Sequence, residues 1–179
     1  MDFLQSLESF SKTKISTNFS LKNYNGYRVG GNADYFVQPN SVNQIRTIVQ
    51  LAQDFKVDYK VIGNGTNLLF SDKGYRGVII CTKNIKGIIT HNGRVICSCG
   101  ERLQSLINYC CLHGFSGLEP LYGIPACVGG AVVMNAGAFG VTVSDYIDYV
   151  EFLDNGKLLK IDKQDLGFNY RTSLIKKLK

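Results

Sequence analysis

The sequence predicts an α+β fold made of two small α/β lobes, 1–82 and 83–179, and three observations carry that prediction. Strand-like and helix-like stretches alternate through the first half and lead into a glycine loop. The second half holds two hairpin signals around an amphipathic helix and a longer glycine-rich segment. The 179 residues are 45% hydrophobic, enough to bury a real core. No long Pro- or Ser-rich linker separates the halves, so the lobes are expected to pack directly, with no internal repeat.

In chain order, Phe3, Leu4, Leu7 and Phe10 recur at helical spacing and predict a short amphipathic helix. From Asn18 to Val37, tyrosines, glycines and alternating apolar residues predict extended segments, with Gly30-Gly31 as a bend. Ser41 opens a second helix as its N-cap, with Gln44 completing a capping box and Val42, Ile45, Val49, Ala52 and Phe55 on one face. Tyr59–Ile62 is a predicted buried strand that runs into the loop Gly63, Asn64, Gly65, Thr66, Asn67, and Leu68 to Phe70 resumes an apolar run. Val78 to Cys81 is a further buried strand.

Ile88 to Thr90 is expected to pair with Val95 to Cys99 across His91, Asn92 and Gly93, which leaves His91 as a solvated turn residue. Leu103, Leu106, Ile107 and Cys110 mark a helix that stops at Gly114, with His113 in its last turn as a cap. A long glycine loop, GIPACVGGAVVMNAGAFG from Gly123 to Gly140, follows. After it, Ile147 to Leu153 and Leu158 to Ile161 flank Asp154, Asn155 and Gly156, a strong hairpin signal.

The two glycine loops are the candidate binding elements. In GNGTN, Gly63 and Gly65 free backbone N–H groups while Thr66 and Asn67 add side-chain donors, a set suited to two linked phosphates. Leu68 stands where a dinucleotide fingerprint needs its third glycine, and no Gly-Lys-Ser/Thr follows, so neither the Rossmann nor the P-loop pattern applies. In the second segment, Gly129, Gly130, Gly137 and Gly140 allow close backbone approach to a ligand. A small-residue turn buried in the protein is the plain alternative for either loop taken alone.

The formal charge of +6 permits an anionic partner, but Lys and Arg are scattered among acids and the aromatic-basic groove of a nucleic-acid binder is missing. Lys176, Lys177 and Lys179 form the only dense basic run and read as a solvated end. An anionic small molecule fits the surplus better. MDFLQSLESF has neither the basic start nor the apolar stretch of a signal peptide, and no apolar run approaches a membrane span. The expected location is therefore cytoplasmic, without membrane insertion. There, six cysteines carry little disulfide meaning, and Cys110 and Cys111 in the helical pattern act as small apolar residues. Cys97-x-Cys99 lacks a second pair at ligand spacing, so no metal is expected.

Four motifs then carry a family resemblance from about Asn18 to Ser173. YRVGGNADYFV, VIGNGTNLLFSDKGYRGVII, GLEPLYGIPACVGGAVVMNAGAFG and LGFNYRTS, in this order, resemble the UDP-N-acetylenolpyruvoylglucosamine reductase family of bacterial peptidoglycan synthesis. The resemblance implies an FAD-binding domain of the vanillyl-alcohol-oxidase and p-cresol-methylhydroxylase type, with the dinucleotide lying between the lobes. It implies non-covalent FAD, NADPH as hydride donor, and reduction of the enolpyruvyl ether of a UDP-sugar to the lactyl ether.

By the same resemblance Gly63, Asn64, Gly65, Thr66, Asn67 and Leu68 meet the FAD pyrophosphate. Ile124, Pro125, Gly129, Gly130, Ala131, Asn135 and Gly137 line the same cofactor. The family's catalytic arginine falls on Arg171, with Tyr170 beside it, where a guanidinium stabilises the enolate-like charge that develops during reduction. One departure is Ala126, where the family usually has Gly; if that position needs positive φ, the alanine costs about 1 kcal/mol. The other is that the family's C-terminal substrate domain, with its proton-donating serine and assisting glutamate, has no counterpart in these residues. Full activity is therefore expected to need that domain. The alternative reading is a stand-alone FAD-binding module or gene remnant without turnover.

Overall fold

The computed structural model describes residues 2–177, the side chain of Lys177 excepted, so Lys179 and that side chain lie outside the described residues. The chain forms two compact units, Met1–Ile85 and Lys86–Lys179.

In the first unit, α1 (Phe3–Ser11) starts with a reciprocal cap: Asp2 accepts from the Gln5 N–H at 2.8 Å, and Gln5 accepts from the Asp2 N–H at 3.1 Å. Phe3 and Leu7 bury their side chains, with Phe3 edge-on to Tyr35 and Phe55, whereas Phe10 sits exposed near the helix end. β1 (Ile15–Ser20) runs antiparallel to β2 (Asn32–Val37). α2 (Val42–Asp54) is capped by Ser41, which accepts from the Gln44 N–H at 3.3 Å. Gln44 reaches one residue further back than a standard box, accepting from the Asn40 N–H at 2.6 Å. Ile45, Ile48, Val49 and Ala52 form its buried stripe.

β3 (Tyr59–Ile62) and β4 (Tyr75–Cys81) complete a sheet of order β1-β2-β4-β3, with β4 parallel to both neighbours. The uninterrupted run Val78, Ile79, Ile80, Cys81 is fully buried, as a central parallel strand requires. β3 departs from the expected buried strand. It lies at the sheet edge, pairs on one side only, and leaves Lys60 and Val61 exposed while Ile62 alone is buried.

In the second unit, β5 (Ile88–His91) and β6 (Arg94–Cys97) form a hairpin whose turn is Asn92-Gly93 alone, both at positive φ. His91 therefore ends the strand instead of entering the turn, and it is exposed. α3 (Leu103–Leu112) ends as expected with Gly114 at φ 78, and His113 stacks on Tyr109 at 4.0 Å with its Nδ1 2.8 Å from the Tyr109 carbonyl. Cys110 is buried, but Cys111 is exposed and does not behave as a core residue. The glycine segment is not all loop: α4 (Val128–Val133) forms inside it. Short strands β7 (Gly137–Ala138) and β8 (Val141–Thr142) follow, then β9 (Tyr149–Asp154) and β10 (Lys157–Asp162) around an Asn155-Gly156 turn. Leu103, Leu106, Ile107, Leu121, Val128 and Val132 close this unit's core.

Candidate functional site

In the first unit, β3 delivers the chain into the Gly63–Asn67 loop, and the loop is held by its own neighbours. Gly65, at φ 72, accepts through its carbonyl from the N–H groups of Gly26 at 3.4 Å and Leu68 at 3.2 Å. A Cβ on Gly65 would collide with the Tyr24 carbonyl. The missing Cβ of Gly65 therefore admits the chain's own backbone. Asn25, buried, organises the adjoining segment: its amide donates to the Leu21 carbonyl at 2.9 Å and the Val29 carbonyl at 2.8 Å, and its oxygen accepts from the Tyr27 N–H at 3.1 Å. Thr66 and Asn67 are exposed, Gly63 and Asn64 are half-buried, and Leu68 packs against the buried cluster of Leu21, Phe36, Ile62, Phe70 and Ile79.

In the second unit, packing fixes the start of α4. The Val128 N–H donates to the Glu101 carbonyl at 2.8 Å and the Gly129 N–H to the Cys99 carbonyl at 2.9 Å. The Gly129 N–H is thus already used inside the protein. Its missing Cβ leaves room for Cys99, whose own Cβ would lie 2.8 Å away. Ala131 is 1% exposed and packs into the core, so its side chain faces the protein and lines nothing outside it. Ile124 is half-buried against that core and Pro125 is exposed. Ala126 is not among the positive-φ residues; its N–H donates to the Ile124 carbonyl and its carbonyl accepts from the Leu103 N–H, both at 2.9 Å. The strain expected of an alanine there does not arise.

Gly130 differs from these. It is exposed, and a Cβ added to it would meet nothing within 4 Å.

Asn135 turns out to be an organiser. It is 7% exposed, at φ 42, with its oxygen accepting from the Ser144 N–H and its amide donating to the Asn169 carbonyl, both at 3.2 Å. Asn169 and Thr172 exchange N–H to carbonyl bonds of 3.1 and 3.2 Å, and this tight turn carries Tyr170 and Arg171 at its tip. Ser173, fully buried, fixes the far side by donating to the Val133 carbonyl at 2.9 Å.

Arg171 sits at φ 54 with its guanidinium carbon 5.8 Å from the centre of the Tyr170 ring, and Tyr170 is 86% exposed. No carboxylate pairs with Arg171 among the described residues. Asn135, Gly137, Tyr170 and Arg171 come together in a cleft of ≈ 400 Å³ shared with the β7–β8 hairpin. Thr142, also on the cleft, gives its N–H and hydroxyl to Asp145, which holds that carboxyl below its usual range. Among the described residues, no group of three His, Cys, Asp or Glu side chains is placed to hold a metal ion, and no helix is long and apolar enough to cross a membrane.

Residues 33–162 match the family described as FAD binding domain. The chain belongs to this FAD binding domain family. It is 37% identical over 179 residues to the UDP-N-acetylenolpyruvoylglucosamine reductase of Clostridium novyi, an alignment covering 99% of this chain and 58% of that relative. The reductase of Caldanaerobacter subterraneus is 34% identical over 169 residues, 94% of this chain and 56% of the relative. The crystal structure of the UDP-N-acetylenolpyruvylglucosamine reductase of Thermus caldophilus superposes with a TM-score of 0.70 at 32% identity, covering 90% of this chain and 56% of that one. This chain therefore spans little more than half the length of the relatives it matches. A Physcomitrella patens BBE-like 1 variant shares the fold alone, with a TM-score of 0.66 at 20% identity over 92% of this chain and 38% of that one. The expected fold class, an α+β FAD-binding domain of the vanillyl-alcohol-oxidase type, is the one observed.

Proposed function

We propose that this chain binds FAD non-covalently and supplies the arginine for the NADPH-dependent reduction of UDP-N-acetylglucosamine enolpyruvate to UDP-N-acetylmuramate, a cytoplasmic step of peptidoglycan synthesis. The FAD binding domain match and the 34% and 37% identities to reductases of that name support the reading. The observation that carries it is the cleft where the outward-facing Arg171 meets Asn135 and Gly137.

The residues present fit an FAD lying on the second glycine segment. Within a helix, glycine costs about 1 kcal/mol relative to alanine. The protein itself has room for a Cβ at Gly130, so the position is better explained by an external group passing close to the backbone. Gly130 is then the cofactor-facing glycine of the set and Gly137, whose missing Cβ makes room for Val141 and Thr142, lines the arginine cleft, while Gly129, Ala131 and Asn135 shape the backbone around them. Gly63 to Leu68 receive the pyrophosphate.

FAD, when bound, supplies hydride storage between NADPH and the substrate. The Arg171 guanidinium stabilises the carboxylate-bearing enolate as charge develops there. A guanidinium is not a proton donor in proteins, so the proton that completes the product must come from another group. That proton comes from the part of the family that these residues do not match, which is why a C-terminal domain is needed for full activity.

The test combines this chain with the C-terminal domain of a relative, FAD, NADPH and the enolpyruvyl UDP-sugar, and follows the lactyl product by mass spectrometry. Arg171→Lys is expected to lower turnover at least a hundredfold, about 2.7 kcal/mol of lost transition-state stabilisation, with FAD affinity unchanged. Equal turnover by the variant contradicts the role given to Arg171.

A further inference from the structure

GNGTN carries no charged side chain, yet the reading above asks it to hold a diphosphate. Two basic residues belong to separate stretches of the first unit whose neighbouring residues lie against that loop. One is Arg28. The segment that precedes it lies against the loop: the Tyr24 carbonyl abuts Gly65, and the Gly26 N–H donates to the Gly65 carbonyl at 3.4 Å. Asn25 locks this segment through three hydrogen bonds, and the Arg28 N–H closes it by donating to the Asn25 carbonyl at 3.3 Å. Arg28 itself is exposed and sits at φ 55, a conformation in which glycine or asparagine would be less strained.

The other cation is Lys83, which follows β4. Its ammonium lies 5.1 Å from the centre of the Tyr24 ring. The two residues before it reach the other end of the loop, with Cys81 Sγ 3.9 Å from the Gly63 carbonyl and the Thr82 hydroxyl donating to the Ile62 carbonyl at 3.2 Å. Among the described residues neither Arg28 nor Lys83 is in ion-pair contact with a carboxylate, whereas Arg76 in the same unit is paired with Asp34 at 2.8 Å.

We propose that Arg28 and Lys83 are further cofactor-binding residues, a cationic pair that neutralises the diphosphate of FAD at the Gly63–Asn67 loop. The inference rests on the reading of that loop as the pyrophosphate site. It divides the work in two: backbone donors set the geometry, and the two side chains supply the charge. Binding through them must weaken with salt, because the attraction is between full charges.

The test is titration of the apo chain with FAD at low and high salt, using wild type, Arg28→Gln, Lys83→Gln and the double variant. Each single change is expected to weaken FAD binding about tenfold, the double change more, with a shallower dependence of affinity on salt. Double-variant affinity within twofold of wild type, with the same salt dependence, overturns the pair. A wild-type chain that binds no FAD overturns the reading of the loop itself, and the pair with it.

Arg28→Gly separates charge from fold, since it relieves the positive φ. It is expected to hold or raise the Tm while losing the same affinity. A lower Tm with wild-type affinity would make Arg28 a structural residue.

Discussion

Gly65 shows how a single residue's role moved between sequence and structure. Read from the sequence, it frees backbone for a phosphate; in the fold it sits at φ 72 against the Tyr24 carbonyl. Gly65→Val therefore has to break the loop's seat and cannot act on the ligand alone. It is expected to cost upwards of about 2 kcal/mol, read as a lower urea midpoint. An unchanged midpoint with lost FAD binding would return Gly65 to the ligand. The thiols give a second prediction. Burial pushes Cys97 up to about 12, with Glu101, Cys110 and Cys99 adding to the effect, and burial also raises Cys81 and Cys110. At pH 8 iodoacetamide is expected to reach exposed Cys111 first and Cys97 far more slowly; the reverse order would contradict the burial. Because the folded thiol holds its proton longer than the unfolded one, its contribution is complete below the ordinary value of 9.0 and fades as pH rises towards about 12. The Tm of wild type should fall more steeply over that window than the Tm of Cys97→Ala.

At the scale of elements, the sequence was most legible where one local rule decides the outcome. Asn-Gly signalled both hairpins, and both formed on two-residue turns with each φ positive, although the expected turns also held His91 and Asp154, which instead close the strands by pairing with Arg94 and Lys157. The continuous Val78 to Cys81 run announced a buried strand, and it is a central one in the sheet. α4 was illegible because VGGAVV has two glycines and poor helix propensity; burial of Val128, Ala131 and Val132 overrides that. β3 was misread as buried because an apolar run does not say on how many sides it is paired. In the site, the motif LGFNYRTS marked the arginine, but the devices that aim it depend on contacts distant in sequence: Asn135 to Asn169 and Ser144, and Ser173 to Val133. Asn135→Leu leaves the Ser144 N–H and the Asn169 carbonyl unpaired, at a cost of about 1–3 kcal/mol each where they are buried. The expected result is a lower Tm together with a fall in lactyl product, in the reconstituted assay, that exceeds any loss of FAD affinity. Unaltered product formation would mean that the arginine turn holds its position without Asn135.

At the scale of the whole molecule, each compact unit brings one glycine loop, and the second also brings the arginine turn. Assayed by themselves with FAD and NADPH, these 179 residues are expected to make no lactyl product at a useful rate. The resemblance puts the proton donor in the family's C-terminal domain, and a positioned acid is worth roughly 10²- to 10⁴-fold. Full turnover would mean that water or another side chain serves as the acid. The central claim, that the chain is a non-covalent FAD carrier, is tested most directly by titrating purified chain with FAD and then precipitating it with acid. The account predicts saturation near one FAD per chain, a flavin absorbance band on the protein, and all of that flavin in the acid supernatant. A chain that stays colourless and takes up no FAD would contradict the cofactor reading, and flavin left in the pellet would contradict non-covalent binding.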